Sequence, residues 1–408
     1  MKAVLIAITT GRSTFRDTLN MLARNLAEFG HFDQHRIGCL INYDPNFMGI
    51  PKNKFNYSSP YNRYFNEIIY IGPQDVPIYR NMMRGFSLDT KQINVLCQVY
   101  GFGNKKNIIL LNAILKGYDM VLFWDDDEYP VICMQNDTSV VWQNTDILTA
   151  HLREISNGAD VATGFWTGHV FPTIPDIHKI LHYNTATLLG EALGLGTETH
   201  SRNSFVDPTL WFHIGKLIPE INEIKAINGG KWVSGGNISV NVQSVLEGIV
   251  PPYYTPVDSR GDDTIFSMHL SRAKVMSVPS GAYHDMYLDY PKICRENFPK
   301  NPGFIEGNNE KYMSRFAFAL RAWLAYAPLF IKLKGDGTYK SVAREMISLL
   351  RIVDSTLFQE IPKLKLIMND QTLADLFEFY LNNVESQYQD LQLCYDAWQS
   401  LLLRLCTG

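Results

Sequence analysis

Short apolar runs alternate with helical patterns over the first 125 positions of the chain. Runs rich in branched residues lie at 3–8 (AVLIAI) and 36–42 (RIGCLIN), which is typical of strands buried on both faces of a sheet. Between them, apolar residues recur every three or four positions from 15 to 29, which predicts an amphipathic helix with Ser13 as its N-cap. The order strand, helix, strand predicts a parallel, doubly wound sheet.

The same pattern continues to the fourth strand. Strands are predicted at 67–72 (EIIYIG) and 120–124 (MVLFW), and a helix with Asn104 as its N-cap is predicted within 103–119. Residues 45–66, rich in Pro, Asn and Tyr and without a clean period, are predicted to be a loop. Ligands of open α/β sheets bind outside the carboxyl ends of the strands. Residues directly after 120–124 therefore lie where chemistry is expected.

The pattern changes in the second half of the chain. Strand-like runs such as 273–279 (AKVMSVP) lie between polar loops until about 300, and helical periodicity dominates past about 310. We therefore predict an α/β domain over 1–305 and a helical C-terminal region over 306–408. The helix near 314–332 is apolar on most sides, apart from two arginines, Arg315 and Arg321. Burial between domains and contact with a membrane surface are both compatible with this pattern.

Composition and charge narrow the classes of function. The 408 residues suffice for a large core and about two domains, and a formal net charge of -4 gives no electrostatic footprint for nucleic acid. The six cysteines are scattered without a C-x-x-C pair, which argues against a zinc site or a disulfide framework. The sequence has neither a signal-peptide pattern nor an uninterrupted apolar stretch of about 18 residues. We expect a cytoplasmic protein, with membrane association kept open.

Four acidic residues at 125–128 follow the fourth strand directly. In an extended chain, Asp125 and Asp127 point to one side and Asp126 to the other. Two converging carboxylates form a partial shell for Mg2+ or Mn2+, which leaves positions open for water and phosphate oxygens, and a cation would relieve the repulsion within the run. The alternative is a solvated turn with helix-capping aspartates. The buried strand before the run favours a metal site.

Two later segments carry further candidate chemistry. Asp262 and Asp263 stand directly before a helical stretch, where the helix dipole stabilises an ionised carboxylate that can act as a general base. Simple N-capping is the alternative. His284 follows the strand-like run 273–279 and is a candidate metal ligand as a neutral imidazole. A structural histidine, or ligation by the neighbouring Asp285, is the alternative there.

Taken in order, these pieces resemble glycosyltransferases of the GT-A fold, especially the family 2 type, over roughly residues 3–290. The matching elements are ITTGR (8–12), Asp44 after the second strand, KKNIILLNA (105–113), the D-x-D of Asp125 and Asp127, SGGNISV (234–240), GDD (261–263) and the late His284. The resemblance implies a Rossmann-like, mostly parallel sheet in an α/β/α sandwich, followed here by the helical C-terminal region.

The resemblance also implies roles for individual residues. The residues implied in nucleotide-sugar binding are Thr9, Thr10, Arg12, Asp44, Lys106, Asp125, Asp126, Trp232, Gly235 and Gly236. Asp125, Asp127 and His284 would hold Mn2+ or Mg2+ at the diphosphate, and Asp263 would take the proton of the acceptor hydroxyl. GDD replaces the commoner Glu-Asp, so Asp262 stays an alternative base. Trp232 would stack on a sugar ring, or pack in the core, and the two glycines would let the backbone approach the sugar.

The implied activity is metal-dependent transfer of a hexose from a nucleotide diphosphate sugar, with UDP as the expected nucleotide. The acceptor would be a hydroxyl group on a glycan, a lipid-linked molecule or a small molecule, and the configuration would be inverted. A retaining enzyme on the same fold, a sugar nucleotidyltransferase and a non-enzymatic carbohydrate- or cation-binding protein are the alternatives. Because the first loop contains a single glycine, Gly11, the nucleotidyltransferase is disfavoured. The segment 165–210, the helical region and the oligomeric state receive no assignment.

Overall fold

The computed structural model describes residues 1–97, 101–137, 139–288, 293–295, 297–300, 302, 309–335 and 337–407. The strands are β1 (Ala3–Thr10), β2 (Arg36–Tyr43), β3 (Glu67–Ile71), β4 (Met120–Asp125), β5 (Glu128–Tyr129), β6 (Val131–Asn136), β7 (Ser139–Asn144), β8 (Val161–His169), β9 (Phe212–His213), β10 (Asn222–Glu223), β11 (Ile238–Asn241) and β12 (Val275–His284).

The helices surround the sheet and fill the C-terminal region. They are α1 (Phe15–Glu28), α2 (His31–Gln34), α3 (Val76–Gly85), α4 (Thr90–Leu96), α5 (Phe102–Leu115), α6 (Thr149–Ser156), α7 (Ile177–Ile180), α8 (Tyr183–Gly196), α9 (Val242–Leu246), α10 (Asp262–Met268), α11 (Asn309–Lys334), α12 (Tyr339–Glu360), α13 (Pro362–Ile367), α14 (Leu373–Leu381) and α15 (Val384–Thr407). Short 3-10 helices lie at Lys52–Phe55, Pro60–Tyr64, Pro208–Leu210 and Ile293–Arg295.

The main sheet has the order β10-β12-β8-β11-β4-β1-β2-β3, with β5 paired to β12 and β9 paired to β8. β3, β2, β1 and β4 are parallel neighbours, and β8 and β12 are parallel as well. β11 runs antiparallel between β4 and β8. The order β3-β2-β1-β4 matches the first four strands of the order 3-2-1-4-5-6 in doubly wound nucleotide-binding sheets. The predicted α/β class with a mostly parallel sheet is confirmed.

Both faces of the central strand β1 are covered. Val4, Ile6 and Ile8 pack into one hydrophobic cluster with α1 and α6, whereas Leu5 and Ala7 pack into another with α5 and the C-terminal helices. Burial on both faces explains why this strand is a continuous apolar run in the sequence. Helices on both sides of the sheet give the predicted α/β/α sandwich.

Two predicted helix caps are wrong. α1 has Thr14 at its N-cap position, and Ser13 contributes its backbone carbonyl, which accepts from the Arg16 N–H at 3.5 Å. α5 begins at Phe102, so Asn104 lies inside the helix. The Gly103 N–H of α5 donates to the Thr255 hydroxyl at 2.8 Å. A residue distant in the sequence therefore satisfies a free donor at this helix start, which local patterns do not reveal.

Two other segments differ in extent from the prediction. The predicted loop 45–66 contains the 3-10 helices at Lys52–Phe55 and Pro60–Tyr64. β12 runs to His284 instead of ending at 279, with a register shift against β8 between Ser277 and Gly281. The longer strand brings His284 to the edge of the sheet where β4 also ends.

The C-terminal region is helical, as predicted, and the predicted boundary between 305 and 306 lies outside the described residues. Residues 310–334 of α11 are long and apolar enough to cross a membrane by length and composition, but 78% of the apolar window is buried inside the protein. Phe316, Leu320 and Leu324 belong to the cluster that also covers the sheet. Packing within the protein therefore accounts for the apolar character of α11.

Candidate active site

A cavity of about 290 Å³ lies where β1, β4 and β12 end. Its wall also includes the start of α10 and one side of α11. The predicted site residues on this wall are Thr9, Arg12, Lys106, Asp125, Asp126, Asp127, Asp262, Asp263 and His284. Residues from five separate parts of the sequence therefore converge at the carboxyl edge of the sheet.

The register of the sheet positions the acidic run. Thr9 of β1 pairs with Asp125 of β4, and Glu128 of β5 pairs with His284 of β12. The Asp127 carbonyl accepts from the Asp285 N–H at 2.9 Å. The turn between β4 and β5 thus places the carboxylate of Asp127 beside the end of β12.

Arg12 and Thr10 hold this turn against the first loop. The Arg12 guanidinium forms ion pairs with Asp126 and Asp127, at 2.8 Å from Asp127 Oδ2. The Thr10 hydroxyl donates to Asp126 Oδ2 at 2.5 Å, and the Thr18 hydroxyl donates to the Asp126 carbonyl at 2.9 Å. Thr10 and Asp126 are therefore engaged with each other, and they fix the loop that carries Arg12.

Asp127 and His284 face one another with free lone pairs. Burial would raise the pKa of Asp127, but the opposing effects, led by the charge of Arg12, outweigh it and lower that pKa to about 2. His284 Nδ1 lies 2.8 Å from the His169 carbonyl, which can only accept, so Nδ1 carries the proton. Burial lowers the pKa of His284, which favours the neutral ring. Nε2 then presents its lone pair 3.8 Å from Asp127 Oδ1.

This arrangement fits a divalent cation in part. Oxygen and nitrogen ligands lie about 2.0 to 2.2 Å from such an ion, so two adjacent ligands are about 3 Å from each other. Asp127 Oδ1 and His284 Nε2 are 3.8 Å apart, and a small movement would bring them to that distance. Burial, together with the charges of Asp127 and Asp263, raises the pKa of Asp125 to about 7 against the opposing effect of Lys106. A cation would relieve that repulsion. Within the described residues, no three metal-ligating side chains already converge, so two donors are in place and Asp125 would have to move.

Lys106 joins the two acids of the GDD motif. Its buried ammonium group contacts Asp263 Oδ1 and lies 3.1 Å from Asp262 Oδ2, above the ring of Tyr253 at 4.8 Å. Burial, then the charge of Asp263, raises the pKa of Asp262 to about 7 against the opposing effect of Lys106. The Asp262 side chain is 4% exposed, whereas that of Asp263 is 34% exposed. Asp263 is thus the acid of the pair that a ligand can reach.

The two glycines of the GGN segment, Gly235 and Gly236, lie directly against acidic residues of the site. A Cβ atom at Gly235 would lie 2.3 Å from Asp263 Oδ2. One at Gly236 would lie 2.4 Å from Glu128 Oε2 and 2.8 Å from the Asp125 nitrogen. The backbone at these two glycines therefore lies close to the acidic residues of the site. Its predicted close approach to a sugar stays a prediction.

Five predicted residues do not line the described cavity: Thr10, Gly235 and Gly236 adjoin its acidic groups, whereas Asp44 and Trp232 have partners elsewhere. Asp44 Oδ2 is 3.1 Å from Lys105 Nζ, and both groups are buried. The Trp232 indole N–H donates to the Ile227 carbonyl at 3.1 Å, and its ring centroid lies 6.0 Å from that of Phe330. Trp232 is half-buried and packs against the main hydrophobic cluster, and its stacking on a sugar ring stays a prediction.

The cavity wall also contains residues that were not predicted. Glu198 accepts from the Thr264 hydroxyl at 2.7 Å and from the Tyr326 hydroxyl at 3.1 Å, which places part of the unassigned segment 165–210 at the site. Arg260 and Arg315 are further wall residues. Two weak signals existed in the sequence, since Arg260 directly precedes GDD and Arg315 interrupts an apolar helix.

Comparisons with known proteins give only a distant likeness. The sequence matches no protein-family model and no curated protein. Crystal structures of S. aureus TarS 1-349, alone and in complex with UDP-GlcNAc, are each 12% identical over 95% of this chain and 92% of theirs, with a TM-score of 0.34. The crystal structure of S. aureus TarS is 12% identical over 94% of this chain and 55% of its own, with a TM-score of 0.33. Likeness at this level carries no argument about activity.

Proposed function

We propose that this protein is a metal-dependent glycosyltransferase that moves a hexose from a nucleotide diphosphate sugar, with UDP as the expected nucleotide, to a hydroxyl acceptor with inversion. The observation that carries the proposal is the convergence of the D-x-D turn, His284 and Asp263 on one cavity at the carboxyl edge of the sheet. This is the edge where open α/β sheets bind their ligands.

Asp127 and His284 are the residues proposed to hold Mn2+ or Mg2+, with Asp125 as a third ligand. Their support is the lone-pair geometry between Asp127 Oδ1 and His284 Nε2 at 3.8 Å. A bound cation would supply charge stabilisation for the departing diphosphate. Arg12 contributes by fixing Asp127 through its ion pair, so that the carboxylate keeps one oxygen directed toward His284.

Asp263 is the proposed proton acceptor. Its carboxylate is partly exposed on the cavity wall, whereas Asp262 is buried against Lys106. A general base must lie within hydrogen-bond reach of the proton that it takes, and Asp263 is the more accessible of the two acids. Lys106 and Gly235 hold its carboxylate from two sides.

A thermal-shift screen tests the proposal. Wild-type protein is heated with UDP-, GDP- and dTDP-sugars, with Mn2+ and with EDTA, because a ligand that binds only the folded state raises the melting temperature by mass action. We expect stabilisation by at least one nucleotide sugar, larger in Mn2+ than in EDTA. A cation effect without any nucleotide-sugar effect would favour a cation-binding protein and contradict the proposal.

A further inference from the structure

Two arginines on the cavity wall have no carboxylate partner within the described chain. Arg260 forms no side-chain hydrogen bond or ion pair with a described residue, and its Nε atom is buried. Arg315, in an early turn of α11, donates through Nη2 to the Met286 carbonyl at 2.6 Å and forms no ion pair with a described residue. By contrast, Arg12 and Lys106 each contact two carboxylates.

The surroundings of Arg260 and Arg315 disfavour the charged form of both guanidinium groups. Burial, followed by the like charges of Arg315 and Arg12, lowers the pKa of Arg260 to about 10 against the opposing effect of Asp127 and Asp126. Burial and the charge of Arg12 also lower the pKa of Arg315. The carboxylates of Asp126 and Asp127 lie near these cations but already pair with Arg12. Partly burying Arg260 and Arg315 without an anion in direct contact therefore still costs free energy. An anionic ligand between them would remove that cost.

Aromatic rings hold Arg260 in position. Its guanidinium carbon lies 5.5 Å, 5.7 Å and 5.0 Å from the ring centroids of Phe47, Phe102 and Phe318. Such cation–π contacts engage the face of the guanidinium and leave the N–H groups at its edge free. The planar fork of an arginine matches the oxygens of a phosphate group.

We propose that Arg260 and Arg315 form a binding site for a phosphate-type dianion, built jointly by the loop before α10 and by α11, which acts without a divalent cation. The inference rests on the proposed function only for the source of the anion, which is either the diphosphate of the donor or a phosphate group carried by the acceptor. In both cases the helical C-terminal region supplies part of the substrate site.

Calorimetric titration of inorganic pyrophosphate in EDTA tests the anion site. We expect pyrophosphate to bind the wild type, and Arg260→Gln and Arg315→Gln each to bind it about 10- to 100-fold more weakly, as expected for loss of a charge-assisted hydrogen bond. Arg321→Gln is the matched control, because Arg321 also lies on α11 and donates through Nη2 to a backbone carbonyl, that of Ile367 at 3.4 Å, away from the described cavity wall. Its affinity should equal that of the wild type.

Folding of each variant is checked by circular dichroism, and Arg315→Met, which also removes the charge, replaces Arg315→Gln if that variant does not fold. Absence of pyrophosphate binding to folded wild type, or wild-type affinity in both the Arg260 and Arg315 variants, would overturn the inference.

Competition with UDP identifies the source of the anion. Displacement of pyrophosphate by UDP supports a site for the donor diphosphate, and simultaneous binding of both supports a site for a phosphate on the acceptor. If pyrophosphate binds through the two arginines while no nucleotide binds in Mn2+ or EDTA, the anion site stands and the proposed function fails.

Discussion

At the scale of single residues, the surroundings of the acidic groups differ more than their sequence suggests. The charge of Arg12 stabilises Asp127 as a carboxylate, whereas at Asp125 and Asp262 burial and neighbouring carboxylates outweigh the charge of Lys106 and raise the pKa. Repulsion within the acidic run is therefore offset by Arg12 at Asp127, whereas at Asp125 it adds to the larger effect of burial. Removing Asp127 leaves Arg12 with Asp126 alone, so that variant should lose stability as well as a metal ligand.

Replacing Asp263 tests the assignment of the base. Asp263→Asn keeps the shape of the side chain but cannot accept a proton from the acceptor, so turnover should fall about 100- to 10,000-fold. Donor binding should change little. Asp262→Asn is the matched control and should have the milder effect, measured as steady-state rates of sugar transfer. A reversed ranking would move the base to Asp262. Near-normal rates in both variants, with retained configuration by NMR, would support the retaining alternative.

The raised pKa of Asp125 predicts a pH-dependent stability. Its folded value of about 7 lies above the ordinary 3.8, so the folded protein binds more protons than the unfolded chain between these values, and this group reduces stability as the pH rises through that window. In EDTA, Asp125→Asn should match the wild type near pH 4 and exceed its melting temperature by about 1 to 2 °C near pH 8, the shift that about 1 to 2 kcal/mol produces in a chain of this length. A difference that is constant with pH would contradict this.

At the scale of elements, the sequence predicts the strands of the sheet better than it predicts the side-chain contacts of the site. The strands β1, β2 and β4 could be predicted because burial on both faces leaves a continuous apolar run. Because Asp125 and His284 follow predicted strands, both could also be predicted to lie at the carboxyl edge of the sheet. The contact of Lys106 with Asp263 could not be predicted, since it joins α5 to α10 across a long stretch of chain. The same is true of the Thr255 hydroxyl at the start of α5.

The segment before β11 provides a test at this scale. A Cβ at Gly235 would lie 2.3 Å from Asp263 Oδ2, closer than nonbonded atoms approach, so Gly235→Ala should displace the Asp263 carboxylate. We expect transfer to fall at least tenfold, a barrier change of about 1.4 kcal/mol, while the protein stays folded. Gly229→Ala is the control for a nearby glycine, since its Cβ would meet only Met268 Cε at 3.9 Å. Its positive φ of 87° predicts lower stability without loss of turnover.

At the scale of the whole molecule, the C-terminal helices and the sheet share one hydrophobic cluster. Leu324 of α11, Phe377 of α14 and Trp398 of α15 belong to the same cluster as Leu5 of β1 and Phe123 of β4. The cavity wall is likewise formed by both regions. The helical region is therefore part of the structural support of the site.

A shared cluster predicts cooperative unfolding. Far-ultraviolet circular dichroism and tryptophan fluorescence should report one coincident transition in urea, because the helices cannot lose their packing without exposing the sheet. Leu324→Ala, which removes a fully buried side chain of α11, should lower the midpoint of that transition by an amount that corresponds to about 2 to 5 kcal/mol. A separate early transition of the C-terminal helices, with the sheet intact, would contradict a common core.

The central claim is that the cavity at the carboxyl edge of the sheet binds a nucleotide diphosphate, and a calorimetric titration with UDP in Mn2+ tests it most directly. Uridine is the matched control, since it lacks the diphosphate that Asp127, His284 and the arginines are expected to engage. We predict that UDP binds the wild type much more tightly than uridine does, and that this preference is smaller in folded Asp127→Ala, where the arginines alone would engage the diphosphate. Equal affinity for UDP and uridine, or no binding of either to the folded wild type, would contradict the account.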